Sequence, residues 1–259
     1  MNFMSWNVRG LNRPAKRTAI NGMATAHRLA MLCLQETKIE VWSTVKAREI
    51  GGSSLQGCVV LPAVGTRGGA AIFWDKTVVD IVSHSIGRFS ITARVLELHS
   101  RLHFWITTVY GPTDDTQKDS FLAEIAATAP STAEPWMING DFNMIYQVAD
   151  KNNANINRRM IGKFRRAIDQ AGLREIKCKN QRFTWSNERE VPTLCSIDKV
   201  FCNEHWEEMH PDHILMAAST SFSDHCPLYL TAASKPYRQA RFRFESFWPR
   251  FPHFTETVL

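Results

Sequence analysis

The chain has 259 residues, 44% hydrophobic and 22% charged, which is long enough for a large core and too balanced for a disordered or fibrous protein. A formal net charge of +6 favours polyanionic partners, nucleic acid or an anionic membrane surface, without choosing between them. The first residues lack a basic stretch followed by an apolar run and no apolar stretch reaches transmembrane length, so a nuclear or cytoplasmic protein with no membrane attachment is expected.

Residues 3–8 read as a strand that leaves Asn7 near its end, before the turn signal Arg9-Gly10. Pro14 sits where a first helical turn begins, and Ile20, Met23, Ala24 and His27 follow at helical spacing. The apolar run 30–34 is a buried strand that stops at Gln35-Glu36-Thr37, so strand, helix and strand form a parallel unit. A helix over 41–50 ends at Gly51-Gly52. Five short β-rich runs follow, 58–61, 69–74, 77–82, 90–98 and 102–110, and are expected to form an antiparallel meander; the last delivers Tyr110 at its end.

A helix over 115–129 is closed by Pro130, and the strand 136–138 gives way to Asn139-Gly140-Asp141, which is turn chemistry. Asp141 and Asn143 either cap their own backbone there or serve a ligand beyond the strand end. Residues 151–159 read as a loop, 160–171 as a helix, and 182–186, 193–202, 214–218 and 226–230 as strands. His205, His210 and His213 are expected on a solvated loop, because Pro211 breaks any helix that would align them. The six cysteines form no C-x-x-C pair, so buried free thiols are expected.

The polar residues that close core strands are Asn7, Glu36, Tyr110, Asp141, Asn143, Asp198, Asp224 and His225. Unpaired buried carboxylates are costly, so such a set from separate elements points to chemistry. Carboxylates and carboxamides without thiolates suit a hard divalent ion, Mg²⁺ or Mn²⁺, and one histidine beside acids suits proton transfer. Together they describe metal-assisted phosphodiester hydrolysis.

Six motifs then occur in a familiar order: Trp6-Asn7-Val8-Arg9-Gly10, Gln35-Glu36-Thr37, Val109-Tyr110-Gly111-Pro112, Asn139-Gly140-Asp141-Phe142-Asn143, Ile197-Asp198-Lys199-Val200 and Ser223-Asp224-His225. Over residues 1–233 the chain resembles the endonuclease/exonuclease/phosphatase superfamily. Within it, the likeness is greatest to the apurinic-endonuclease-like domain of plant LINE-type non-LTR retrotransposons. The resemblance implies an α/β fold of DNase I type, a four-layer α-β-β-α sandwich of two mostly antiparallel sheets with outer helices. It also implies a Mg²⁺- or Mn²⁺-dependent DNA endonuclease that nicks one strand, with DNA as partner, acting as a monomer and originally fused to a reverse transcriptase. The same superfamily includes phosphatases acting on inositol lipids and sphingolipids, and an inactive nucleic-acid-binding remnant is the non-enzymatic alternative.

Carried over by position, Glu36 is expected to hold the metal with Asn7 and Asp224. Asp141 would activate the attacking water, Asn143 would hold the scissile phosphate, and His225, oriented by Asp198, would bind a phosphate oxygen or move a proton. Tyr110 would contact the phosphate or assist the leaving group. Thr184 and Trp185 match a stretch that lines the DNA face, although for Trp185 ordinary packing is an equal reading. Arg9 stands where cellular abasic-site repair enzymes are acidic, which removes one metal carboxylate and leaves a substrate-binding cation. The basic and aromatic stretch 238–254 resembles the connector leading into the reverse transcriptase; a linker or tail is expected over 234–259, with DNA binding as its alternative.

Overall fold

The computed structural model describes residues 1–65 and 67–232, so the expected tail over 234–259 lies outside the described residues. The chain runs β1 (Phe3–Asn7), α1 (Pro14–Ala26), β2 (Met31–Gln35), α2 (Thr44–Gly51), β3 (Gly57–Leu61), β4 (Ala70–Trp74), β5 (Val79–Ile86), β6 (Ser90–Glu97) and β7 (His103–Tyr110). It continues with α3 (Lys118–Ala127), β8 (Trp136–Asp141), α4 (Arg158–Gln170), β9 (Arg174–Glu175), β10 (Trp185–Ser186), β11 (Leu194–Cys195), β12 (Asp198–Cys202), α5 (Glu204–Met209), β13 (His213–Ala217) and β14 (Leu228–Ala232).

Alternation along the strands sorts their side chains into separate cores. Phe3, Met31, Cys33 and Ile72 point into a central layer, where they meet Ile91, Ala93, Ile106, Met137 and Val200. Their neighbours Met4, Trp6, Leu32 and Leu34 point the other way, onto Ile20 and Ala24 of α1 and Ile50 of α2. On the far side Val109, Trp136, Ile138 and Phe201 meet Phe121, Leu122 and Ile125 of α3 and Phe164 and Ile168 of α4. The result is two six-stranded sheets, β13-β14-β1-β2-β4-β3 and β5-β6-β7-β8-β12-β9, face to face with helices outside. This is the four-layer α/β sandwich the motifs implied.

Each sheet has one parallel pair near its centre, β1 with β2 and β7 with β8, among antiparallel neighbours. The carboxyl ends of these four strands meet at one edge of the sandwich. β12 runs antiparallel to β8 and opens there, with Asp198 opposite Asp141, and β14 runs antiparallel to β1, so the segment leading into it arrives at the same edge. Topology alone therefore gathers residues from six strands.

Several expectations are corrected. Asn139-Gly140-Asp141 is the last half of β8, not a turn. Gly140 has φ +136°, and a Cβ there would come within 2.0 Å of the Val109 carbonyl oxygen, so this glycine serves close strand approach. The expected meander is divided, β3 and β4 joining the first sheet and β5 to β7 the second, because the chain crosses between layers after Trp74. Residues 182–186 and 193–202 give strands only at β10, β11 and β12.

His205, His210 and His213 are not a solvated loop. Asn203 caps α5 through its side chain, and His210 and His213, beyond the helix, stack with ring centroids 4.2 Å apart over the buried Trp206. Aromatic packing, unforeseen from spacing, outweighed solvation. Burial lowers the pKa of both rings, and for His213, with help from His210 and the amino terminus, to about 3. Of the six thiols, Cys33, Cys195 and Cys202 are buried, Cys58 is exposed, and Cys178 and Cys226 lie between.

Candidate active site

The site is built on Asp141, which ends β8 and is held by three donors. Asn7 Nδ2 reaches its Oδ2 at 2.8 Å, the Asn143 backbone N–H reaches Oδ1 at 2.8 Å, and Asn143 Nδ2 lies 3.2 Å from Oδ2. Phe142, the next residue, anchors this strand end from beneath, packing against Phe121, Phe164 and Phe201 with centroids 6.2, 5.1 and 5.3 Å away. Each such buried aromatic contributes about 1.5–3 kcal/mol, so the carboxylate rests on a rigid floor. Burial, and then the charge of Asp198, raises the Asp141 pKa to about 7, against the opposing pull of His225 and its hydrogen-bond donors. A carboxyl group so poised accepts protons near neutral pH.

His225 faces Asp141 across 4.0 Å between Nε2 and Oδ2, while its Nδ1 lies 2.8 Å from Asp198 Oδ2. Burial opposes its charge, but the Asp198 carboxylate, through charge and hydrogen bond, and then Asp141 outweigh it and raise the pKa to about 9. The ring is thus an imidazolium at neutral pH, with Nδ1–H on Asp198 and Nε2–H directed at the space before Asp141. Thr184 donates to Asp198 Oδ2 at 2.6 Å and accepts from the Asp198 N–H at 3.1 Å, fixing the carboxylate. Trp6 Nε1 donates to the His225 carbonyl at 3.1 Å, and Ser223 Oγ accepts the His225 N–H at 3.2 Å.

A second group of side chains lies beside the first. Glu36 pairs with Lys38 at 2.9 Å, and the Tyr110 phenol is within hydrogen-bonding reach of Glu36. Burial and then the charges of Glu36 and Asp141 push the Tyr110 pKa up, so the phenol stays protonated. Asp224 Oδ2 accepts from Arg9 Nη1 at 2.7 Å and Trp185 Nε1 at 3.0 Å, while its Oδ1 is buried without a partner. Four of the seven non-glycine residues with positive φ, Arg9, Glu36, Lys38 and Asn143, lie here. Strain of this kind gathers at sites that need fixed geometry.

Among the described residues, the metal-capable group whose ligand atoms all lie within 4.8 Å is Asp141, Asp198 and His225. Its histidine is cationic and its Nδ1 is engaged by Asp198, so we read that group as a proton network. The oxygen donors Glu36 and Asp224 suit a hard divalent ion better, and the orphaned Asp224 Oδ1 leaves room for a further partner in this second group. Asn7 keeps only a share in that side, because its Oδ1 already accepts the Arg9 N–H at 2.9 Å.

Two expected substrate-binding roles are placed differently. Thr184 is buried and its hydroxyl serves Asp198, so it is a positioning residue. Both amide hydrogens of Asn143 are engaged, by the Gly111 carbonyl at 2.8 Å and by Asp141, so it braces Asp141. Arg9, with over half its side chain exposed, stands at the mouth as expected. Sequence reading missed Ser223, Lys16 and Lys38; a lysine two residues after a site glutamate was the available clue. Lys199, next to Asp198 in sequence, points away from the site and is buried against Asp150 at 3.0 Å and Glu175 at 2.7 Å.

A family model described as Endonuclease/Exonuclease/phosphatase family matches residues 4–225. No curated protein matches the chain significantly. Among solved structures, an AP endonuclease from Leishmania major is similar over 88% of this chain and 86% of its own, with 15% identity and a TM-score of 0.69. An AP endonuclease from Archaeoglobus fulgidus is similar over 90% of this chain and 100% of its own, at 14% identity and TM-score 0.69. The endonuclease domain of TRAS1, a telomere-specific non-LTR retrotransposon, is similar over 90% and 99%, at 14% identity and TM-score 0.64. At these identities the likeness concerns the fold.

Proposed function

Because the chain belongs to the endonuclease/exonuclease/phosphatase family, we propose that it is a divalent-metal-dependent endonuclease that hydrolyses a DNA phosphodiester and nicks one strand. The observation that carries this reading is the facing pair of Asp141 and His225. A carboxyl group raised towards neutrality and an imidazolium stand 4.0 Å apart, a base and a cation separated by space for a reacting oxygen.

Asp141 takes the proton of the attacking water, held in place by Asn7 and Asn143. His225 presents Nε2–H to a non-bridging phosphate oxygen and meets the charge that builds on it, while Asp198, itself held by Thr184, keeps the ring in that orientation. Tyr110, kept protonated, donates a hydrogen bond on the leaving side. Glu36, with a lone pair of Asn7 Oδ1, would hold Mg²⁺ or Mn²⁺, which supplies Lewis-acid neutralisation of the phosphate. Arg9, Arg13, Lys16 and Lys38 line a cleft of about 570 Å³ beside Glu36, and this basic wall suits a polyanionic strand better than a small neutral substrate.

The likeness of the fold to the TRAS1 domain supports a retrotransposon-type role, in which the nick leaves a 3′-hydroxyl for extension. No helix among the described residues is long and apolar enough to cross a membrane. The test is nicking of supercoiled plasmid with Mg²⁺ or EDTA, wild type beside Asp141→Ala and Glu36→Ala. Relaxation by wild type with metal alone is expected. Equal nicking by the variants would overturn the assignment, and DNA binding without any nicking would leave a binding remnant.

A further inference from the structure

The Asp224 carboxylate is already engaged by a cation of the chain. Arg9 Nη1 and Trp185 Nε1 both donate to Oδ2, at 2.7 and 3.0 Å, and the charge of Asp224, 8% exposed, is matched by a guanidinium that is itself 55% exposed. Arg9 is not there by a chance rotamer. Its backbone takes φ +47° and is tied by its N–H to Asn7 Oδ1, so the same carboxamide that holds Asp141 also fixes Arg9. Lys38 on Glu36 differs in kind, being a single hydrated point charge on a flexible stem reaching back two residues. A divalent ion displaces such an ammonium more readily than a guanidinium and indole held together on one oxygen.

An ion seated on Oδ1 of Asp224 would lie within the width of one carboxylate from the Arg9 charge, and like charges at that range repel strongly in a partly buried site. Oδ1 is then left for a neutral donor. Resting on the metal-dependent reading above, we propose that the site takes one divalent ion, on Glu36, and that Arg9 is its second cation, neutralising Asp224 and offering its remaining N–H groups to the substrate phosphate. The planar guanidinium is suited to that task because it presents several donors in a fixed fork.

The test is a Mn²⁺ titration of the full chain without DNA, followed by calorimetry and by the electron paramagnetic resonance of free Mn²⁺. Wild type is expected to bind one ion. Arg9→Gln is expected to bind two, and Arg9→Gln with Asp224→Asn to return to one. Two ions on the wild type, or one on Arg9→Gln, would overturn the proposal while leaving metal dependence intact. No ion on the wild type would instead remove the metal-dependent reading and the proposal with it.

Discussion

Two regions bury histidines, and they treat the same ring in opposite ways. Around His225 the neighbours are Asp198, Asp141 and Asp224, and the ring is held charged. Around His210 and His213 the neighbours are Trp206 and each other, and the rings are held neutral. Burial opposes the charge in both places, so the carboxylates decide the outcome. Two histidines close in sequence thus form a packing device, while a lone one is proposed to carry the chemistry.

The largest way to break that contrast is by turnover. His225→Gln should slow plasmid nicking by about 10²–10⁴-fold, the usual worth of a general acid–base group, while His213→Gln leaves the rate per folded molecule unchanged. Equal losses would void the distinction. Next in size, Trp206→Ala should cost about 3–5 kcal/mol in urea unfolding, as for other buried aromatics, with nicking per folded molecule retained.

A sharper test separates the causes. In Asp198→Asn the largest of the carboxylate contributions that outweigh burial is gone, so the His225 ring should titrate well below its value near 9, as followed by nuclear magnetic resonance of the ring protons. The smallest effect is on stability against pH. His213 titrates near 3 when folded and near 6.5 when unfolded, so its contribution is present above pH 6.5 and is lost progressively as pH falls towards 3. His225 has the opposite sign: its contribution is complete below pH 6.5 and is lost as pH rises through about 9. Melting temperatures from pH 5 to 9.5 should therefore show an acid limb flattened by His213→Phe and an alkaline limb flattened by His225→Gln.

Much of this was readable along the chain. Glu36, Asp141 and Tyr110 stood out because an apolar run that ends in a polar residue exposes that residue at a strand end, and both sheets follow that pattern. Asn139-Gly140 misled because glycine serves turns and close strand contacts alike, and only the approach of the Val109 carbonyl tells them apart. Thr184 was singled out but its partner was not legible, since it precedes β10 and its hydroxyl meets the Asp198 carboxylate, 14 residues on. The Arg9–Asp224 pair joins residues 215 apart in sequence, a separation no local pattern encodes.

The placement of β1 between β2 and β14 has a consequence for how the protein is made. Phe3 lies opposite Leu230, so β1 waits for a strand far along the chain before its sheet is complete. Closing so long a loop is slow and places this pairing late in folding. Asn7 and Asp141 are synthesised well before His225. An unfinished chain would therefore hold the proposed base, Asp141, without the imidazolium proposed to face it.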